Sequence, residues 1–347
     1  MKKPFKPFAL FKKPFARFLF KKLVFLFVAI FLSFTLLFIL PYFMPSNPVD
    51  MMLARIAANP GTTAIKLAEI RARYIRLFGL DKSLIEQYGL FWKRVLTLDF
   101  GTSIAYNRDV ESLIGEALVW TLVLIIPAWI LSFIVGNNYL GAKAAFSKNK
   151  FVHALYTIAV YLNSAPYYWF GLILVYALAV NLRLFPSSRA FSPLLIPSLS
   201  PRFLLDVAYH YVLPFLSLFI TGIGNWCTGM RAMTIYEKQS DYIYYSKQMG
   251  FRESKLRKYA QKNAILPQVT GLPIILSSLI GQTMIVEYVF GWPGLGTVMY
   301  QALTAIDYPL MQAGFVFSVL LVLIGNFVMD IIYGFIDPRI RTGYVGG

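Results

Sequence analysis

Between Leu23 and Leu40 eighteen consecutive positions carry only two polar side chains, Ser33 and Thr35. With its flanks this run is long enough to cross a bilayer core. No small-residue cleavage site precedes Pro41 and Pro45, so the run is expected to persist as a first span, 23–45. Five further apolar stretches follow, at 117–139, 152–181, 207–233, 268–290 and 310–334. The 152–181 stretch, at a helical rise of about 1.5 Å per residue, overshoots a core of about 30 Å. It contains Pro166, so one kinked span is expected there. The pattern predicts an all-α integral membrane protein with six transmembrane helices.

Two polar segments interrupt it. Residues 46–116 carry nine basic and eight acidic side chains, with an amphipathic run at 65–80 that closes on Gly79; they read as a small extracytoplasmic insertion. Residues 236–267 carry seven Lys or Arg against three acids. They read as two short helices about Gly250, which can take the left-handed conformation that ends a helix. Tyr242, Tyr245, Ser246 and Met249 recur at helical spacing on one face, and Leu266-Pro267 is expected to mark re-entry into the membrane. Residues 117–334 then form a five-span core, and 335–347 a tail.

Composition agrees with a membrane protein: 58% of residues are hydrophobic and 14% charged, with a mean hydropathy of +0.60. The net charge of +17 does not imply nucleic-acid binding, because the basic residues sit beside apolar spans. Eight Lys or Arg and no acid occupy residues 1–22, a segment suited to an anionic lipid surface. With six spans, that segment, Lys143, Lys148, Lys150, the 236–267 loop, Arg339 and Arg341 fall on one side. The other side, apart from the long insertion, has Arg183, Arg189 and Arg202. This asymmetry predicts both termini in the cytoplasm of a cell whose plasma membrane holds the chain.

Little in the sequence supports chemistry of the chain's own. Cys227 is the single cysteine, and His153 and His210 are the only histidines, so no metal or cofactor site is expected. No Gly-Lys-Ser or Gly-Lys-Thr occurs, so any ATP hydrolysis belongs to another chain. A membrane enzyme would need a nucleophile with a positioned base, which these residues do not supply. Inside the spans, Glu287 and Asp330 are the ionisable candidates. Asp330 is expected to anchor to backbone or to Arg339; Glu287 is open between a structural role and an outer vestibule. Asn163, Asn225, Thr228 and Gln282 fall near the midplanes, as interhelical hydrogen bonds or as lining of a path. Gly291, Gly294 and Gly296 read first as a turn, with substrate contact as the alternative.

At this point the chain resembles the permease subunits of binding-protein-dependent ABC importers, in particular the first permease of the dipeptide/oligopeptide branch. Met44-Pro45-Ser46-Asn47-Pro48-Val49-Asp50 is similar to the family's motif after its first span. Gly79-Leu80-Asp81 and Leu98-Asp99-Phe100-Gly101-Thr102-Ser103-Ile104 are similar to its insertion. The 236–267 loop is similar to its ATPase-docking motif, with Tyr244-Tyr245-Ser246 where Glu-Ala-Ala is usual. Residues 287–296, Asp307-Tyr308-Pro309 and Asp337-Pro338-Arg339-Ile340-Arg341 complete the match.

The resemblance implies the type I importer permease architecture and half of a translocation path. It implies a second homologous permease, two cytoplasmic ABC ATPases and an extracytoplasmic substrate-binding protein as partners, besides membrane lipid. Peptides are the usual cargo of that branch, and some members carry oligosaccharides or nickel complexes. Docking is placed on Asp241, Tyr242, Tyr244, Tyr245, Ser246, Met249, Gly250 and Lys255. The path or outer gate is placed on Asn163, Asn225, Gln282, Glu287, Gly291, Gly294 and Gly296. A self-sufficient secondary transporter or channel is the alternative function.

Overall fold

The computed structural model of the protein describes residues 13–43, 48–58, 63–79, 81–103 and 105–336. The start of the basic N-terminus, most of the Met44–Asp50 motif, Leu80, Ile104 and the tail with Arg339 and Arg341 lie outside the described residues. Among those described the architecture is helical, and the one extended pairing is an isolated bridge between Thr102 and Asp109.

The chain runs through α1 (Lys13–Ile39), α2 (Pro48–Ala57), α3 (Ala64–Phe78), α4 (Leu84–Thr97) and α5 (Val110–Ile134). A π-helical turn, Val135–Gly141, leads into α6 (Ala142–Phe146), followed by α7 (Lys150–Asn163) and α8 (Tyr167–Leu174). A second π turn, Val175–Asn181, precedes α9 (Pro201–Lys238), α10 (Asp241–Gln248) and α11 (Glu253–Thr270). The last three helices are α12 (Leu272–Phe290), α13 (Leu295–Ala305) and α14 (Tyr308–Ile336).

Among the described residues five helical runs are long and apolar enough to cross a membrane: Phe15–Phe43, Val110–Phe146, Pro201–Lys238, Leu272–Phe290 and Tyr308–Phe335. The pair Lys150–Asn163 and Tyr167–Asn181 makes a sixth if it counts as one span, but its halves meet at 110°. This corrects the expected kink. Pro166 is not inside a helix; it caps α8 with an extended backbone, φ −58° and ψ 142°, so the ladder stops at Ser164 and restarts beyond the proline.

Other boundaries move too. The spans expected at 117–139, 207–233 and 310–334 all extend further, because their polar ends continue the helix beyond the apolar core. Pro267, expected to mark re-entry, does not begin a helix. It lies inside α11, and the break falls at Gly271 before Pro273. The loop after α12, expected as plain connection, holds α13.

Contacts divide the chain into two units. One comprises residues 1–24, 122–292 and 325–347. In it α9 packs against α7, α8, α11 and the first π turn, at distances that only glycine permits. A Cβ on Gly136 would meet Trp226 Cβ at 2.6 Å, one on Gly141 would meet the Cys227 carbonyl at 2.7 Å, and one on Gly224 the Ala159 carbonyl at 2.1 Å. Close backbone approach of this kind is how helices associate in lipid, where burying apolar surface gains nothing. Trp226, Val269, Leu272 and Met329 form a buried cluster beside it. Lys22 pairs with Asp330 at 2.8 Å, so the anchor expected for Asp330 is supplied by α1.

The other unit comprises residues 25–121 and 293–324. Its α4 is set by a capping box in which Ser83 and Glu86 bond reciprocally. Phe91 and Trp92 of α4 pack on Phe34, and Phe91 also on Phe38, of α1, and the Thr35 and Tyr88 hydroxyls meet at 2.7 Å.

Gly224→Val should force α7 and α9 apart and destabilise the protein by about 1–3 kcal/mol. Gly281→Ala, where a Cβ meets nothing within 4 Å, should leave it unchanged. Thermal unfolding of both variants in detergent checks the contrast.

Candidate functional site

The expected docking loop folds as two helices about a glycine. Ser240 and Asp241 open α10, the acid lying in the first turn where the helix dipole favours it. Gly250 adopts φ +78° and donates its N–H to the Lys247 carbonyl at 3.0 Å. Phe251 returns a bond to the Ser246 carbonyl at 3.2 Å, which directs the chain into α11. Leu256, Ala260 and Ala264 hold α11 inward, and Gln261 donates to Asn138 at 2.8 Å. A short helix is thus held at both ends by longer ones.

Its two faces differ. Ile243 and Ser246 are buried, Ser246 at 7% exposure, so Ser246 is not on the open face that its spacing with Tyr242, Tyr245 and Met249 implies. Tyr242 is half-buried, and its hydroxyl donates to Glu237 at 2.6 Å. Burial pushes the Tyr242 phenol up, and the bond to Glu237 adds to the rise. Tyr244, Tyr245 and Met249 are open, at 60%, 64% and 67% exposure, and the two tyrosine rings meet edge to face at 5.9 Å. Tyr236, at the end of α9, is open as well. Lys255 has its ammonium over the Phe251 ring at 4.0 Å, so its charge is already engaged within the chain.

The residues expected to line a path fall on α7, α9, α12, α13 and the turn that leads into α13. Asn163 is exposed at the end of α7, beside the Gly224 crossing. Asn225 is half-buried on α9, as is Gln282 on α12, where Gln282 donates to Ser278 at 3.0 Å. Glu287 does not face an open vestibule: it is 0% exposed. Gly291 closes α12 with φ +57°. Gly294 caps α13, and both it and Gly296 are buried, which fits the reading as a turn.

A further cluster was not singled out from sequence. Asp307 is fully buried and accepts from the Ser103 hydroxyl at 2.6 Å, the Ala105 N–H at 2.9 Å and the Leu310 N–H at 3.3 Å. The last is a helix cap, legible in Asp307 two residues before Pro309; the tie to the insertion is not. Nearby in the same unit, burial pulls the Arg94 guanidinium down to about 10, with Tyr308, Asp99 and Tyr42 opposing the change. It therefore stays charged at neutral pH.

Residues 137–342 match the family described as binding-protein-dependent transport system inner membrane component. The chain belongs to that family. The oligopeptide transport system permease protein AppB of Bacillus subtilis is 32% identical over 321 residues, 90% of this chain and 96% of the relative. The metal-staphylopine import system permease protein CntB of Staphylococcus aureus is 26% identical over 328 residues, 94% of this chain and 99% of the relative. The glutathione transport system permease protein GsiC of Salmonella typhimurium is 30% identical over 309 residues, covering 88% and 92%. The protein is a multi-pass membrane permease of the binding-protein-dependent class, and these relatives are matched through the insertion as well as the core.

Asp307→Ala should leave three donors without their acceptor, at a cost of about 1–3 kcal/mol each for those that stay buried. Tryptic cleavage after Arg108, which pairs with Glu116 in the same segment, should speed up several-fold. An unchanged cleavage rate would show that Asp307 does not hold the insertion.

Proposed function

We propose that this chain forms half of the translocation path of an ATP-driven importer for peptides or similar small solutes. It pairs with a second homologous permease, two cytoplasmic ABC ATPases and an extracytoplasmic substrate-binding protein. Both termini face the cytoplasm, a reading that the basic-residue asymmetry supports, and the plasma membrane holds the assembly. The observation that carries the reading is α10, a helix of eight residues with Ile243 turned inward and Tyr244, Tyr245 and Met249 turned out. A partner groove that takes this helix meets aromatic and thioether surface rather than charge.

Because α11 packs on α9, a displacement imposed on α10 is delivered to a helix of 38 residues. Closure of the ATPases would then rock the spans as rigid bodies and switch access from one side to the other. Peptide cargo follows from the names of the relatives AppB and GsiC; CntB extends the range to metal chelates. ATP hydrolysis falls to the partner ATPases.

Gly250→Val should abolish co-purification with the ATPase while the chain stays inserted. A Cβ at Gly250 meets nothing within 4 Å, so the φ of +78° alone opposes it, at about 1–3 kcal/mol for a β-branched residue. Gly250→Asn, which tolerates that φ, should retain the partner. Paired loss of Tyr245 and Met249 to Ser should weaken association without unfolding. If the Val variant binds ATPase as well as the original chain, docking lies elsewhere. Glu287→Ala should lower solute uptake and spare ATPase binding, measured by uptake and co-purification side by side.

A further inference from the structure

A cavity of about 280 Å³ opens where the end of α6 meets the first turn of α11. Lys143, Phe146 and Ser147 line one side of it, and Glu253, Ser254 and Arg257 the other. None of its lining residues belongs to α10. Its cations are uncommitted: the described residues place neither Lys143 nor Arg257 in an ion pair, and the Lys143 ammonium has only the Tyr139 ring, at 5.6 Å. A third cation, Lys238, stands over the Phe146 ring at 5.0 Å.

Phe146 and Lys238 are the last residues of two candidate spans, Val110–Phe146 and Pro201–Lys238. The cavity therefore lies at the polar ends of two helices that run past the length a bilayer core needs. Ser147 already accepts the Asn149 N–H at 3.0 Å, which leaves its O–H free to donate inward. Ser254, in the first turn of α11, brings a second hydroxyl to the lining.

We propose that this cavity binds a phosphate-bearing anion, held by Lys143 and Arg257 with the two serine hydroxyls as donors. An Arg and a Lys lining one space match a phosphate better than any neutral solute, and they disfavour a metal cation. At about 30 Å³ for each water in the liquid, the volume admits a phosphate together with its glycerol. The anion is the head group of an anionic phospholipid or a soluble phosphate ester. Glu253 is the acid at the rim and opposes binding, which fixes the sign of its removal. The inference does not depend on where an ATPase docks.

The full chain, released from nanodiscs of phosphatidylglycerol and phosphatidylcholine, should retain phosphatidylglycerol in native mass spectrometry. Lys143→Gln with Arg257→Gln should lower that retention about tenfold, and Glu253→Gln should raise it. In discs of phosphatidylcholine alone, glycerol 3-phosphate should raise the melting temperature of the original chain, and not of the double variant, if the source is soluble. A response there without lipid retention assigns the site to a soluble ester; retention without that response assigns it to lipid. If the double variant does not fold, Ser254→Asp, at an exposed position, puts a negative charge into the cavity and should give the same loss. Equal retention and equal response in the original and altered chains overturn the proposal.

Discussion

Helices in a bilayer gain no free energy by hiding apolar surface from one another, so their association depends on how closely their backbones approach. In this chain that constraint is met along α9. Gly224 lets it touch the carbonyl of Ala159 on α7, and Gly136 and Gly141 let the first π turn lie against Trp226 and Cys227. Ser132 adds a bond to the Phe219 carbonyl at 2.9 Å across the same seam. The placement of α11 beside α9, and with it the attitude of α10, follows from this packing. The seam and α10 are thus joined through α9 and α11.

The helix–turn–helix of α10 and α11 was well legible because its signals are local. Charge content, helical spacing and Gly250 fall within one stretch, and left-handed geometry at Gly250 is what a helix–turn–helix of that length needs. Burial of Ser246 was not legible. Period alone puts it with Tyr242, Tyr245 and Met249, and only the packing of α10 on its neighbours shows which part of that arc turns inward.

The spans were legible in number and approximate place, since eighteen or more apolar residues leave few alternatives. Their ends were not, because a helix continues through polar residues once its ladder is established. Pro166 and Pro267 make the contrast. One interrupts a span at 110° and the other is carried within α11, although the residue type is the same. Residue type alone does not separate the two, because whether a helix carries a proline or breaks at it depends on what packs around it, a tertiary matter. The same holds for Asp307 with Ser103 and for Lys22 with Asp330, partners far apart along the chain.

The Lys22–Asp330 pair also sets an order of events in biosynthesis. Asp330 leaves the ribosome long after Lys22, at a synthesis rate of about 5–20 residues per second. For that interval the Lys22 ammonium has only water, lipid phosphate and the Phe18 ring, 5.8 Å away in the finished fold. The ion pair closes only when α14 has been inserted with its acid at the matching depth. It is thus a contact between the first and the last described helices that no part of the chain can make until both have been synthesised.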